Sequence, residues 1–249
     1  MFLFYVNPIL IAAAVIPAIV LLRFVYREDR LDRESPGMLL SLVLFGILAT
    51  FGALIAEQIG ESVLALLVPP YTRAYNAILY FVVVALSEEG FKYLLLKKRT
   101  WWSQEFNCQF DGVVYAVFVS LGFALWENIS YVVMYGLGTA LVRAVTAIPG
   151  HACFGVFMGA FYGLAKRYDN FGDAYRSRRC RRLAVAVPVV LHGCYDYIAT
   201  YEYDGYAWIF VGFVVLLFAA ASRIIKRLAR DDRFIDGDDD YNYYNGPEL

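Results

Sequence analysis

Apolar residues run along this chain in stretches of about 20, the length a helix needs to cross the hydrocarbon layer of a membrane. The pattern predicts about seven spans, near 2–26, 38–68, 72–96, 110–135, 139–165, 183–200 and 206–225. The second is too long for one straight crossing, and its tail, around Glu61 to Pro70, is expected at the surface or as a re-entrant turn. Phe2 to Leu22 has no basic residue before it and no small-residue cleavage site, so it is expected to remain as the first span. The fold class expected is all-α, a polytopic transmembrane helical bundle. Residues 1–230 form one membrane-embedded domain, and 231–249 form an acidic cytoplasmic tail with no apolar period, expected to be disordered.

Charge orients the spans. Lysine and arginine accumulate on cytoplasmic loops. Nineteen of the 22 basic residues follow odd-numbered spans. Arg73 alone sits on a loop after an even-numbered one, and Lys92 and Arg143 lie inside spans. This places the N-terminus outside and the C-terminus in the cytoplasm of a multi-pass cell-membrane protein. Composition agrees, with 60% hydrophobic and only 18% charged residues at a net charge of −1. Nothing in it points to nucleic acid. Cys108, Cys153, Cys180 and Cys194 form no CxxC pair, so neither a disulfide framework nor a zinc finger is expected.

An ionisable side chain inside a bilayer costs roughly 2.5–3.5 kcal/mol on insertion scales, so each one calls for a reason. Span three carries Glu88, Glu89 and Lys92. Span four carries Glu127 and Asn128, with Asp111 near its start. Span five carries Arg143 and His151, and span six carries His192 and Asp196. Lys92 lies three residues from one glutamate and four from the other, so it can share a helix face with either. Asp196 is four residues from His192 and can fix which ring nitrogen faces the site. His151 heads the series Gly155, Gly159, Gly163, whose small residues let another helix approach closely. The four spans are expected to surround one polar cavity.

Two hydrolytic chemistries suit such a cavity. In one, a divalent metal such as zinc is held by ligands drawn from Glu88, Glu127, His151 and His192 and activates a water. In the other, a glutamate and a histidine activate water directly, and Asn128, His192 or Arg143 stabilises the oxyanion. An ion- or proton-coupled transporter would use similar residues, but it predicts internal repeats that the chain lacks. A non-catalytic membrane scaffold would tolerate loss of the glutamates.

The pieces SEEGFK, FDGVVYAVFVSLGFALWENISY, RAVTAIPGHACFGVFMGAFYG and PVVLHGCYD fall in this order on four successive spans. In them the chain resembles the PrsW family of intramembrane proteases, related to the CAAX prenyl endopeptidases and bacteriocin-immunity proteins. The resemblance covers roughly Ala85 to Ala199. It implies a peptidase, often described as a metallopeptidase, that cuts a single-pass anti-sigma factor in the first step of regulated proteolysis. It also implies essential roles for Glu88, Glu89 and His192, with His151 and Glu127 as partners. Lys92 stands where the wider superfamily usually has arginine, and Asp196 stands where it has asparagine. That last departure puts an amide-donor role at position 196 in doubt.

Overall fold

The structure, a computed structural model, describes residues 8–200 and 204–235, and within them the chain is helical. Helix α1 (Pro8–Glu28) leads through a short polar loop to α2 (Pro36–Leu67), whose start is capped by the Ser35 hydroxyl accepting from the Met38 N–H. Helix α3 (Arg73–Ile78) passes through a π-helical segment, Leu79–Val84, straight into α4 (Ala85–Thr100). Then follow α5 (Asp111–Tyr135), α6 (Leu137–Val145), α7 (Ala147–Asn170), α8 (Ala174–Ala199) and α9 (Asp204–Arg230). These make seven long helical runs. Four of them, α2, α5, the α6–α7 run and α9, are long and apolar enough to cross a membrane.

Two expectations about spans change. The second run does not turn at Glu61; α2 continues unbroken to Leu67. The fifth is broken at Thr146 into α6 and α7. Pro149 explains the break, because it has no N–H for the Val145 carbonyl and its ring crowds that carbonyl. The start of the first predicted span, before Pro8, lies outside the described residues.

The bundle is built around α5, which is buried without interruption from Asp111 to Ala124. It can be so enclosed because its neighbour offers almost no side chain. A Cβ on Gly159 would overlap the backbone of Gly112 and Val113, and one on Gly155 would stand 3.0 Å from the Ala116 carbonyl oxygen. Helices α5 and α7 therefore touch backbone to backbone. The outer surface is apolar instead. Leu40, Leu44, Leu48 and Ile55 on α2 and Ile209, Val215 and Leu216 on α9 are all more than half exposed, a surface that suits hydrocarbon and not water.

At one end of the bundle, where the arginine-rich segments gather, the segment after α9 folds back on the loop before α5. Ile235 donates its N–H to the Asn107 carbonyl at 2.7 Å, Gln109 donates to the Arg233 carbonyl, and Cys108 and Phe234 form an antiparallel bridge. Ile235 is fully buried. The acidic tail thus begins later than its charge suggests, since residues 231–235 are anchored by an apolar side chain; residues 236–249 lie outside the described residues. Beside this clasp, Asp29 and Glu34 are buried in the α1–α2 loop. Burial, reinforced by neighbouring carboxylates, holds Asp29 up at about 6 and Glu34 up at about 8.

Candidate active site

The π-helical segment widens the helix just ahead of Ala85, and four residues on, α4 turns Glu88, Glu89 and Lys92 into the bundle, all three buried. The lysine organises them. Its Nζ donates to Glu88 Oε2 at 3.0 Å and to Glu89 Oε1 at 2.8 Å, and it lies 3.1 Å from His151 Nδ1. An ammonium has three N–H donors, and here each has one acceptor. The same group sits 4.0 Å from the centre of the Phe123 ring, which adds a cation–π contact.

His151 lies on the first turns of α7. With Nδ1 accepting from the ammonium, its proton is on Nε2, which faces Glu127 Oε2 at 2.9 Å. Arg143 reaches the same carboxylate oxygen at 2.9 Å from α6 and stacks over Tyr131. The bend at Thr146 is what lets α6 and α7 approach Glu127 from two directions. His192, on α8, has Nδ1 3.0 Å from Glu89 Oε1 and Nε2 3.3 Å from Asp196 Oδ2. Both ring nitrogens face carboxylate oxygens, an arrangement that a doubly protonated ring satisfies. Phe154 stacks on its face at 4.7 Å.

Helices α4, α5, α6, α7 and α8 thus bring eight of the nine predicted site residues to or just behind the wall of one cavity. Glu88, Glu127, Arg143, His151, His192 and Asp196 line a single cavity of about 420 Å³. Glu89 and Lys92 stand behind its wall, fully buried. The ninth, Asn128, is turned elsewhere. Its Nδ2 donates to the Ala14 carbonyl on α1, and its Oδ1 accepts from Arg143 Nε. It therefore supports Arg143 and ties α5 to α1 instead of facing the cavity. The cavity extends past Tyr131 to Met134 and Tyr135, the end of α5 away from the arginine-rich loops. At 1.5 Å per residue, Glu127 lies about 12 Å from that end.

Glu57 also lines the cavity, from α2, and sequence reasoning passed over it. The signal was present, because Glu57 is an ionisable residue well inside an apolar run. Which way it faces depends on how α2 packs, and the spacing within α2 does not give that.

Among the described residues one group could hold a metal. Glu88, Glu89 and His151 each offer a ligand atom, all within 4.8 Å of one another. Two carboxylates and an imidazole suit zinc, and Glu89 Oε2 is a buried oxygen with no hydrogen-bond partner. Yet the three groups are also those that Lys92 holds. His151 Nδ1 has one lone pair, so it can accept from the ammonium or ligate a metal, and not both. Metal and ammonium are alternatives at this position where Nδ1 is the ligand atom. Glu127 and His192 flank it, each engaged with other partners.

Helices with an apolar outer surface, enclosing acids and histidines around one cavity, form a membrane-embedded bundle whose polar centre suits a hydrolase. The sequence comparisons sharpen that class. Residues 34–221 match the PrsW family of intramembrane metalloproteases. The chain is 34% identical to protease PrsW of Geobacillus kaustophilus, with 88% of this chain and 91% of that protein aligned. It is 30% identical to protease PrsW of Oceanobacillus iheyensis, over 88% of this chain and 95% of that one. Against protease PrsW of Bacillus subtilis it is 29% identical, over 88% and 94%. No solved structure matches it. The chain belongs to the PrsW family and is an intramembrane peptidase.

Proposed function

We propose that this peptidase is a seven-span protein of the cell membrane, N-terminus outside and C-terminus cytoplasmic. Its substrate is a single-pass membrane protein of the anti-sigma-factor kind, cut in the first step of regulated proteolysis. The observation that carries the chemistry is the shared cavity, where Glu88, His192 and Arg143 all meet the space a peptide bond and a water would occupy.

Glu88 is the better water-activating group of the pair, because it lines the cavity while Glu89 does not. Lys92 holds Glu88 by Oε2 and fixes its direction. Glu88 takes a proton from water as the oxygen attacks the scissile carbonyl, and gives that proton to the amide nitrogen as the C–N bond breaks, releasing a carboxylate and an amine. Negative charge then develops on the carbonyl oxygen, and two donors on the cavity wall are placed to receive it. One is Arg143. The other is His192 Nε2, whose contact to Asp196 at 3.3 Å is the longer of the ring's two and whose partner also lines the cavity. Glu89 keeps His192 and Lys92 in register, and Glu127 does the same for His151 and Arg143. A divalent metal held by Glu88, Glu89 and His151 in place of the ammonium would lower the pKa of its water to about 7. No step above depends on it.

The test is cleavage of a purified single-pass substrate by the full chain reconstituted in vesicles. Glu88→Gln keeps shape and hydrogen bonding but removes the base, so cleavage is expected to fall at least about 100-fold. Near-normal cleavage by a well-folded Glu88→Gln protein would exclude Glu88 from this role.

A further inference from the structure

A second groove stands apart from the active-site cavity. It lies between α4 and α8 and has a volume of about 670 Å³. Its two ends differ in chemistry. Arg178, Arg181 and Arg182 line one end from α8, and Lys97 faces them from α4. Beyond them the walls are Leu86, Val185, Ala186, Val189 and Val190, with Tyr93 between the two zones. The α8 residues recur at intervals of three and one, so the arginines and the apolar residues are successive parts of one helix face. On α4 the lining residues are Leu86, Tyr93 and Lys97, spaced seven and four apart along one helix face.

Four cations converge at the head of this groove, and none forms an ion pair with a carboxylate among the described residues. Neighbouring Arg176 differs, since it pairs with Asp173. Arg181 lies over the Trp101 ring at 5.2 Å, which holds a cation in place without neutralising it. From Arg182 to Val190 the apolar wall is about 12 Å long, and it opens sideways onto the apolar outer surface. The occupant that satisfies both ends carries a negative head and a hydrocarbon chain. Basic pockets between membrane helices take the head groups of anionic lipids in this way. We infer that the α4–α8 groove binds an anionic phospholipid, its phosphate among Lys97, Arg178, Arg181 and Arg182 and an acyl chain along Val185, Val189 and Val190.

The site matters for the peptidase because α4 and α8 also carry Glu89 and His192, joined at 3.0 Å on the seam beside the groove. A lipid seated there braces the two helices that hold this pair.

The experiment reads lipid retention and needs no substrate. The full chain, purified in a neutral detergent, is offered phosphatidylglycerol, phosphatidylcholine or soluble glycerol phosphate and examined by native mass spectrometry and thermal unfolding. Phosphatidylglycerol should be retained and should raise the unfolding temperature, while phosphatidylcholine and glycerol phosphate do neither. Arg178→Gln with Arg182→Gln, both exposed positions, should lower phosphatidylglycerol retention about 30-fold. Ala186→Trp should lower it with every cation intact, by filling the apolar part. Arg176→Gln with Arg179→Gln on the same helix end should leave it unchanged. Equal loss in that control would mean general surface charge and would overturn the proposal. So would full retention in the Arg178/Arg182 variant, or displacement of the lipid by an acidic single-pass peptide, which would assign the groove to a polypeptide.

Discussion

Glu88 and Glu89 are adjacent in sequence and identical in chemistry, yet their surroundings predict opposite consequences of the same substitution. Glu89 Oε1 receives two donors, Lys92 at 2.8 Å and His192 at 3.0 Å, and the residue is fully buried. Hydrogen bonds to a charged group contribute about 1.5–3 kcal/mol each, so Glu89→Gln puts about 3–6 kcal/mol at risk. Its new amide N–H₂ would also stand where Oε2 now has no partner. Glu88 receives one hydrogen bond, from Lys92, with His192 Nδ1 farther off at 3.9 Å, and it borders the cavity, where water can meet an amide. At about 2–4 °C per kcal/mol for a chain of this size, Glu89→Gln should lower the unfolding temperature by roughly 6–24 °C. Glu88→Gln should lower it by only a few degrees while abolishing cleavage. Tryptophan fluorescence during heating of nanodisc-embedded protein, with size-exclusion profiles beside it, measures both. Equal stability of the two variants, or a larger loss in Glu88→Gln, would refute the division of labour between the two acids.

The buried acids of the α1–α2 loop predict a pH dependence. Folding raises Asp29 to about 6 and Glu34 to about 8, above an ordinary carboxyl near 4. The protonated forms therefore favour the fold, and that contribution is lost as pH rises through about 6 and then about 8. Unfolding temperature should fall from about pH 4 to about pH 8, and Glu34→Gln should flatten the part above about pH 6; an unaltered slope would contradict this. Removing the ammonium tests its rivalry with metal. Lys92→Met should unfold at lower temperature without zinc, be rescued by zinc, and retain more zinc than the unsubstituted protein by elemental analysis, whereas equal zinc in both would mean that the two do not compete. Orientation can be read with an impermeant thiol reagent on a chain whose one cysteine is at position 178, which should label only after the membrane is opened.

Much of this was legible because local spacing settles it. Lys92 reaches both glutamates since three and four residues bring side chains to one helix face, and the Gly155–Gly159–Gly163 series announced the close contact that buries α5. The convergence of spans three to six could be read because each isolated charge in a bilayer needs a partner. What escaped depends on contacts between distant segments. Asn128 looked like a cavity residue because it adjoins Glu127, but one step along a helix turns a side chain by about 100°, and it bonds α1 instead. Glu57 faces the site only because of how α2 leans on α4 and α5. The bend at Thr146 has its cause in Pro149, though inside so apolar a run hydropathy alone gives a continuous span.

The clasp between residues 107–110 and 231–235 has a consequence for synthesis. The N-terminus of α5, at the centre of the bundle, is held by the Asp232 carboxylate on the Phe110 N–H and by the backbone bonds of Arg233 and Ile235. Ribosomes add about 5–20 residues per second, so residue 235 follows residue 111 by roughly 6–25 s. Through that interval α1 to α8 can insert and pair, but the start of α5 has no partner for these donors. Helix α8 ends at Ala199, so the helices that surround the cavity are complete only about 2–7 s before the clasp can close, and a chain halted within α9 would lack the bonds that hold the start of α5.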